Sequence, residues 1–176
     1  MKRNELEHIL RAASAVTNQP NIVVIGSQSI LAQFPDAPVE LLASIEADVF
    51  PRSDPALSIQ IDGAIGERSL FHQTFGYYAH GVDETTATLP SGWQDRLIPI
   101  RNENTGGATG WCLDVHDLAV SKLVAGREKD LLFIRGLLKH GLANPARIEE
   151  LLRALSATAD ILSLVRARLH RLTSTP

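Results

Sequence analysis

The sequence contains a single cysteine, Cys112. One thiol cannot close an internal disulfide, and nothing ties the chain to an oxidising compartment. A small buried apolar residue is the preferred reading of Cys112 over a catalytic thiol. Positive charge is also short. Lys and Arg number 17 against 20 Asp and Glu, giving a net charge of -3 and a pI near 6.1. Without a global positive field, nucleic-acid contact requires a local patch. No window approaches ~18 consecutive apolar residues, so no transmembrane helix is expected. Met1-Lys2-Arg3-Asn4-Glu5-Leu6-Glu7 mixes both signs of charge and lacks the apolar run of a signal peptide. A cytoplasmic protein is therefore expected. Repeats and low-complexity stretches are absent. His72, His80 and His116 have no metal-like spacing with Cys112, which argues against a zinc site. The loop Asn104-Thr105-Gly106-Gly107-Ala108-Thr109-Gly110 lacks the Gly-Lys-Ser/Thr of a P-loop and reads as a flexible connector.

What is present is a change of character along the chain. Leu6, Ile9, Leu10, Ala13 and Val16 recur at helical spacing and predict a helix over residues 3–17, ended before Pro20. Ile22-Val23-Val24-Ile25 is a β-branched run, read as a buried strand. Gly26-Ser27 makes a turn into a helical pattern over 28–34. A turn of helix is expected over 39–44, and an alternating strand over 45–50 with Ile45, Ala47 and Val49 facing the core. A helix over 55–67, with Leu57, Ile61, Ala64 and Ile65 on one face, and strands over 77–82 and 96–100 follow. Residues 102–110 read as loop. Beyond Trp111, helices are predicted over 114–126, 129–140, 147–155 and 157–172. Asn144-Pro145 supplies an N-cap and a first-turn proline. The predicted class is α/β (α+β): a mixed sheet flanked by helices over 1–112, followed by a helical segment over 113–176 packed on it.

Three elements carry chemistry. A strand ending in Gly26-Ser27 and opening a helix offers backbone N–H groups to an anion. The same geometry also serves ordinary turns. Glu46 and Asp48, two apart on a strand, leave the same face and repel each other unless a cation lies between them. Mg²⁺ takes oxygen ligands and is shared with substrate phosphates. A solvent-facing acidic stripe is the competing reading. Lys122 lies on the apolar face of its helix with Val115, Leu118, Ala119 and Ala125. Asp130 aligns with Phe133, Ile134 and Leu137. Each is costly to bury alone, and the two can pair. Lys122 can instead snorkel, or reach a phosphate. Asp114 and Asp117 suit helix capping. Trp93 and Trp111 read as packing anchors. Arg166, Arg168, His170 and Arg171 form a modest basic patch near the C-terminus.

The strand, Gly-Ser turn and acidic pair resemble the first motif of the polymerase-β-like nucleotidyltransferase superfamily. Lys122-Leu123-Val124-Ala125-Gly126-Arg127-Glu128-Lys129-Asp130 is similar to the lysine, arginine and aspartate signature of AbiEii-type toxins. More closely, residues 20–140 resemble an uncharacterised bacterial nucleotidyltransferase-like family. The likeness rests on Gly26-Ser27-Gln28, Glu46-Ala47-Asp48-Val49, Phe71-His72-Gln73, Asn102-Glu103-Asn104-Thr105 and Ala119-Val120-Ser121-Lys122-Leu123. It implies transfer of a nucleoside monophosphate from a nucleoside triphosphate to an acceptor, which for a toxin-like member is tRNA or a protein. Such a member pairs with an antitoxin. The implied catalytic residues are Glu46, Asp48, Lys122 and Asp130. The implied metal ligands are Glu46 and Asp48, holding Mg²⁺ (or Mn²⁺). Gly26, Ser27, Lys122 and Arg127 would bind the nucleotide. The sequence departs from the pattern at Glu46, where Asp is usual, at Phe133, where the toxin branch has Asp, and in the longer spacing from Ser27 to Glu46. No third strand carboxylate is evident, and Asp62 reads as a helix surface residue. A degenerate, non-catalytic nucleotide-binding or interaction protein is the alternative.

Overall fold

In a computed structural model that describes residues 1–174, the stripe of Leu6, Ile9, Leu10 and Ala13 is fully buried along α1 (Arg3–Thr17). Glu5 accepts the Lys2 backbone N–H at 2.6 Å and caps the first turn. Asn18, at φ 50°, ends the helix in the left-handed region that Asn tolerates. The chain divides into two units. The first comprises residues 1–86 and 97–113, and the second residues 87–96 and the chain from Asp114.

The first unit holds a five-stranded mixed sheet in the order β3-β2-β1-β5-β4. Its strands are β1 (Asn21–Val24), β2 (Glu46–Pro51), β3 (Tyr78–Gly81), β4 (Ile98–Ile100) and β5 (Thr109–Cys112). β1 runs antiparallel to β2 and parallel to β5, β2 runs parallel to β3, and β4 runs antiparallel to β5. Helix α1 and helix α2 (Ser58–Ile65) pack together against the sheet. One apolar core joins Leu6, Ile9 and Leu10 to Ile22, Val24, Ala47, Val49, Ile61, Ala79 and Cys112. Burial pushes the Cys112 thiol up to about 12, so it behaves as a small apolar residue.

Several expectations are corrected. Ser27–Ala32 forms a 3₁₀ helix, tighter than the α-helix expected there. Ala47 and Val49 are fully buried, but Ile45 is about half exposed and precedes the strand. Ile61 and Ile65 are the buried face of α2, while Ala64 is exposed. A short helix α3 (Leu70–Phe75) was not anticipated. Nor was β5, which lies inside the sheet between β1 and β4. Gly110 masks it, because a Cβ there would meet Leu10 Cδ1 at 2.4 Å. The glycine is a packing choice inside a strand, and sequence reads it as loop.

The second unit contains α4 (Val115–Ala125), α5 (Glu128–Lys139), α6 (Pro145–Leu152) and α7 (Ala159–Ser174). Asp114 and Asn144 cap α4 and α6 as expected, accepting from the backbones of His116 and Ala146. Asp117 has a different job. It is fully buried and takes two hydrogen bonds from Arg96, at 2.8 and 2.7 Å. Gly126, at φ 63°, ends α4. A Cβ there would meet the Arg168 guanidinium, which donates to the Leu123 and Val124 carbonyls at 2.6 and 3.0 Å. Arg168 thus satisfies carbonyls at the end of α4. Arg166 pairs with Glu149 at 2.8 Å. Two cations of the basic patch are therefore engaged by other residues of the same unit.

The Asn102-Glu103-Asn104-Thr105 segment also has a structural explanation. Glu7 is buried, and its carboxylate accepts from Arg3 Nε (2.8 Å), Asn102 Nδ2 (2.7 Å) and Asn104 Nδ2 (2.9 Å). Burial raises its pKa, but these donors outweigh burial and hold it below the ordinary value. Replacing Glu7 with Leu would remove the acceptor shared by two amides and the Arg3 guanidinium. The expected loss is about 3 kcal/mol, measured by urea denaturation. Glu7→Gln, which keeps one acceptor oxygen, should lose less.

Candidate functional site

Strand alternation separates two faces of β2. Ala47 and Val49 enter the core shared with α1, so Glu46 and Asp48 leave the opposite face. The parallel register with β3 sets Glu46 beside Tyr78 and Asp48 beside His80. Tyr78 Oη donates to Glu46 Oε2 at 2.8 Å. His80 Nδ1 lies 3.1 Å from Asp48 Oδ1 and 3.5 Å from Glu46 Oε1. One ligand atom from each of Glu46, Asp48 and His80 falls within 4.8 Å of the others.

The electrostatics follow from this crowding. Burial, then the Glu46 charge, raise the Asp48 pKa, and His80 opposes them. Burial lowers the His80 pKa, but the hydrogen bond and charge of Asp48 reverse the sign and leave it raised. Burial, followed by the bond to Glu46, pushes Tyr78 up to about 12, so its hydroxyl stays a donor. The His72 ring lies 4.7 Å from the Tyr78 ring, and its Nδ1 accepts from the Arg68 backbone. Asp62 accepts from the Gly81 backbone at 2.8 Å and fixes the end of β3.

Gly26 closes the other side of Asp48. Its backbone is extended, at φ -85°, so conformational freedom is not what requires glycine. Space is. A Cβ would lie 2.0 Å from Asp48 Oδ2. Ser27 opens the 3₁₀ turn, and the next two residues, Gln28 and Ser29, are fully buried. Gln28 Nε2 donates to the Ser44 carbonyl, whereas Gln28 Oε1 and Ser29 Oγ have no hydrogen-bond partner among the described residues. The donor set at Asp48 fits a divalent cation on its chemistry: two carboxylates and one imidazole converge from two strands. His80 was missed in the sequence because its partners lie 32 and 34 positions away.

The second charged cluster lies within the helical unit. Asp130, fully buried, accepts from Lys122 Nζ at 3.0 Å and from Arg127 Nε at 2.6 Å. Lys122 Nζ also sits 4.6 Å above the Phe133 ring. Its side chain is 11% exposed, whereas that of Arg127 is 63% exposed. The expected Lys122–Asp130 pair is therefore present, and Phe133 supplies the third contact. Burial raises the Asp130 pKa, but Arg127 and then Lys122 outweigh it and hold it low.

A buried carboxylate with two cationic donors makes a specific stability prediction. Asp130→Ala leaves Lys122 nearly enclosed without this partner and should cost about 3–5 kcal/mol. Lys122→Met should cost less, because Asp130 keeps Arg127 and the thioether packs on Phe133. The folded pKa of Asp130 lies below its unfolded value of ~3.9. Its ionised form therefore stabilises the protein fully above that value and loses the contribution as pH falls through the lower folded pKa. Urea midpoints should show the gap between wild type and Asp130→Asn shrinking as pH drops from ~7 to ~3.

No curated protein and no solved structure matches the chain. The model of one family, described as nucleotidyltransferase of unknown function (DUF6036), matches residues 4–170. That span includes both charged clusters, the sheet and nearly all of the helical unit. The chain belongs to this nucleotidyltransferase family.

Proposed function

We propose that the protein transfers a nucleoside monophosphate from a nucleoside triphosphate to an acceptor hydroxyl, with Mg²⁺ or Mn²⁺ at Glu46 and Asp48. The observation that carries this reading is the convergence of Glu46, Asp48 and His80 on one sheet face of a chain in a nucleotidyltransferase family. The acceptor oxygen would attack the α-phosphorus, the α–β phosphoanhydride bond would break, and pyrophosphate would leave. The acceptor's proton would pass to the carboxylate pair. A bound divalent cation supplies charge neutralisation at the reacting phosphate and lowers the pKa of the attacking hydroxyl. Glu46 and Asp48 would hold that charge in place, with Tyr78 fixing the orientation of Glu46. Gly26 and Ser27 would lie against the triphosphate, a role supported by their place at the start of the 3₁₀ turn beside Asp48. Phosphate contact is the proposed role of Lys122 and Arg127, with Asp130 orienting both. Most of the rate would come from positioning and electrostatics. The proposed acceptor is tRNA, as the AbiEii-type likeness implies, and that toxin-like reading includes an antitoxin partner.

Nucleotide binding without transfer is a second reading. It is favoured by one observation, the engagement of Lys122 by Asp130 and Phe133.

Incubation with each labelled triphosphate, a divalent salt, and total RNA or protein tests both. Label should enter RNA and fall at least ~100-fold in Asp48→Ala. Gly26→Ala should fall in the same direction while its urea stability shifts by no more than about 1 kcal/mol, since only the flexible carboxylate must move. Label in protein alone would replace tRNA as acceptor. Bound triphosphate without labelling would favour the second reading. Labelling unaffected by Asp48→Ala would remove the proposed site.

A further inference from the structure

We propose that His80 is the third ligand of the cation at Glu46 and Asp48, and that it biases the site toward a first-row transition ion such as Mn²⁺ over Mg²⁺. The inference deepens the nucleotidyl-transfer reading and rests on it for the presence of a cation. Tyr78 donates to Glu46 Oε2, and Glu46 Oε1 faces His80. Gly26 crowds Asp48 Oδ2, which leaves Oδ1 toward His80. His80 Nδ1 sits 3.1 and 3.5 Å from those two oxygens. Adjacent ligands of a six-coordinate ion with bonds of ~2.2 Å are separated by ~3.1 Å. The imidazole nitrogen thus stands at ligand spacing from Asp48 Oδ1 and slightly beyond it, at 3.5 Å, from Glu46 Oε1.

The chemistry of that nitrogen decides the metal. Mg²⁺ demands hard oxygen donors and dehydrates reluctantly. Imidazole favours first-row transition ions, while carboxylates serve Mn²⁺ as well as Mg²⁺. A donor set of two carboxylates and one imidazole lies on the Mn²⁺ side of that boundary. The Tyr78–Glu46 bond supplies the kind of outer support that orients a ligating carboxylate.

The test is direct binding, independent of turnover. Titrate the full-length protein with Mn²⁺ alone and with Mg²⁺ alone by calorimetry, and record pulsed electron paramagnetic resonance of bound Mn²⁺. Wild type should bind Mn²⁺ at least ~10-fold more tightly than Mg²⁺, with a nitrogen coupling in the spectrum. His80→Ala should lose the coupling and at least ~10-fold of Mn²⁺ affinity, with Mg²⁺ affinity nearly unchanged. The His80 side chain is half exposed, so the substitution leaves the core intact. His80→Asp should move the preference toward Mg²⁺. Absence of nitrogen coupling, equal loss of both ions, or no binding of either ion overturns the proposal. Mn²⁺ bound through nitrogen in a protein that labels no acceptor would uphold this inference and sink the transferase reading. Transfer with Mg²⁺ that is indifferent to His80→Ala, with no preference for Mn²⁺, would do the reverse.

Discussion

Two carboxylates on one face of one strand repel each other, and much of the first unit's architecture answers that repulsion. Glu46 and Asp48 share a face because β2 alternates, and β2 alternates because Ala47 and Val49 must reach the core built by α1 and α2. The core therefore fixes the position of the charges. Their compensation comes from β3. Tyr78 donates to one carboxylate and His80 faces both. A one-residue slip in the β2–β3 register would turn both partners to the other face. Asp62 and the Gly81 backbone help hold that register, at the end of β3 and one turn into α2.

The same constraint explains Gly26. As a turn residue it would be replaceable, because its backbone is ordinary extended chain. As a neighbour of Asp48 it sets where the carboxylate lies, because any Cβ would come within 2.0 Å of Oδ2 and displace it. The Gly-Ser turn and the acidic strand, separated by 20 positions between Gly26 and Glu46, are thus one structural unit. Each makes sense only with the other in place.

Much of this was legible in the sequence, and the limits have physical causes. Periodicity located α1, β2 and the helices of the second unit, and the continuous β-branched run located β1. The acidic pair followed from alternation alone, and the Lys122–Asp130 pair from two charges on apolar helix faces. Strand β5 was hidden because Gly110 makes room for Leu10, and composition cannot separate that use of glycine from a loop. His80 was hidden for a different reason. Tyr78 and His80 alternate on their strand as Glu46 and Asp48 do on theirs, but nothing in one sequence states which strands are neighbours or in what register. Asp117 shows a third limit. Its position three residues after an N-cap is what capping would use, yet its partner Arg96 comes from a separate segment.

The two charged clusters follow opposite strategies. Asp130 is fully buried, and Lys122 and Arg127 donate to it, so its charge is compensated within the second unit. Its depressed pKa expresses that compensation. Asp48 is only partly covered, and its pKa is raised, since burial and Glu46 outweigh what His80 returns. A compensated carboxylate gains little from a further cation, whereas an undercompensated pair gains much. Cation affinity should therefore concentrate at Glu46, Asp48 and His80, even though the charges at Asp130 are more deeply buried. Burial alone would point to the wrong cluster. The balance of charge within each cluster distinguishes a carboxylate already held by cations from a pair prepared to receive one.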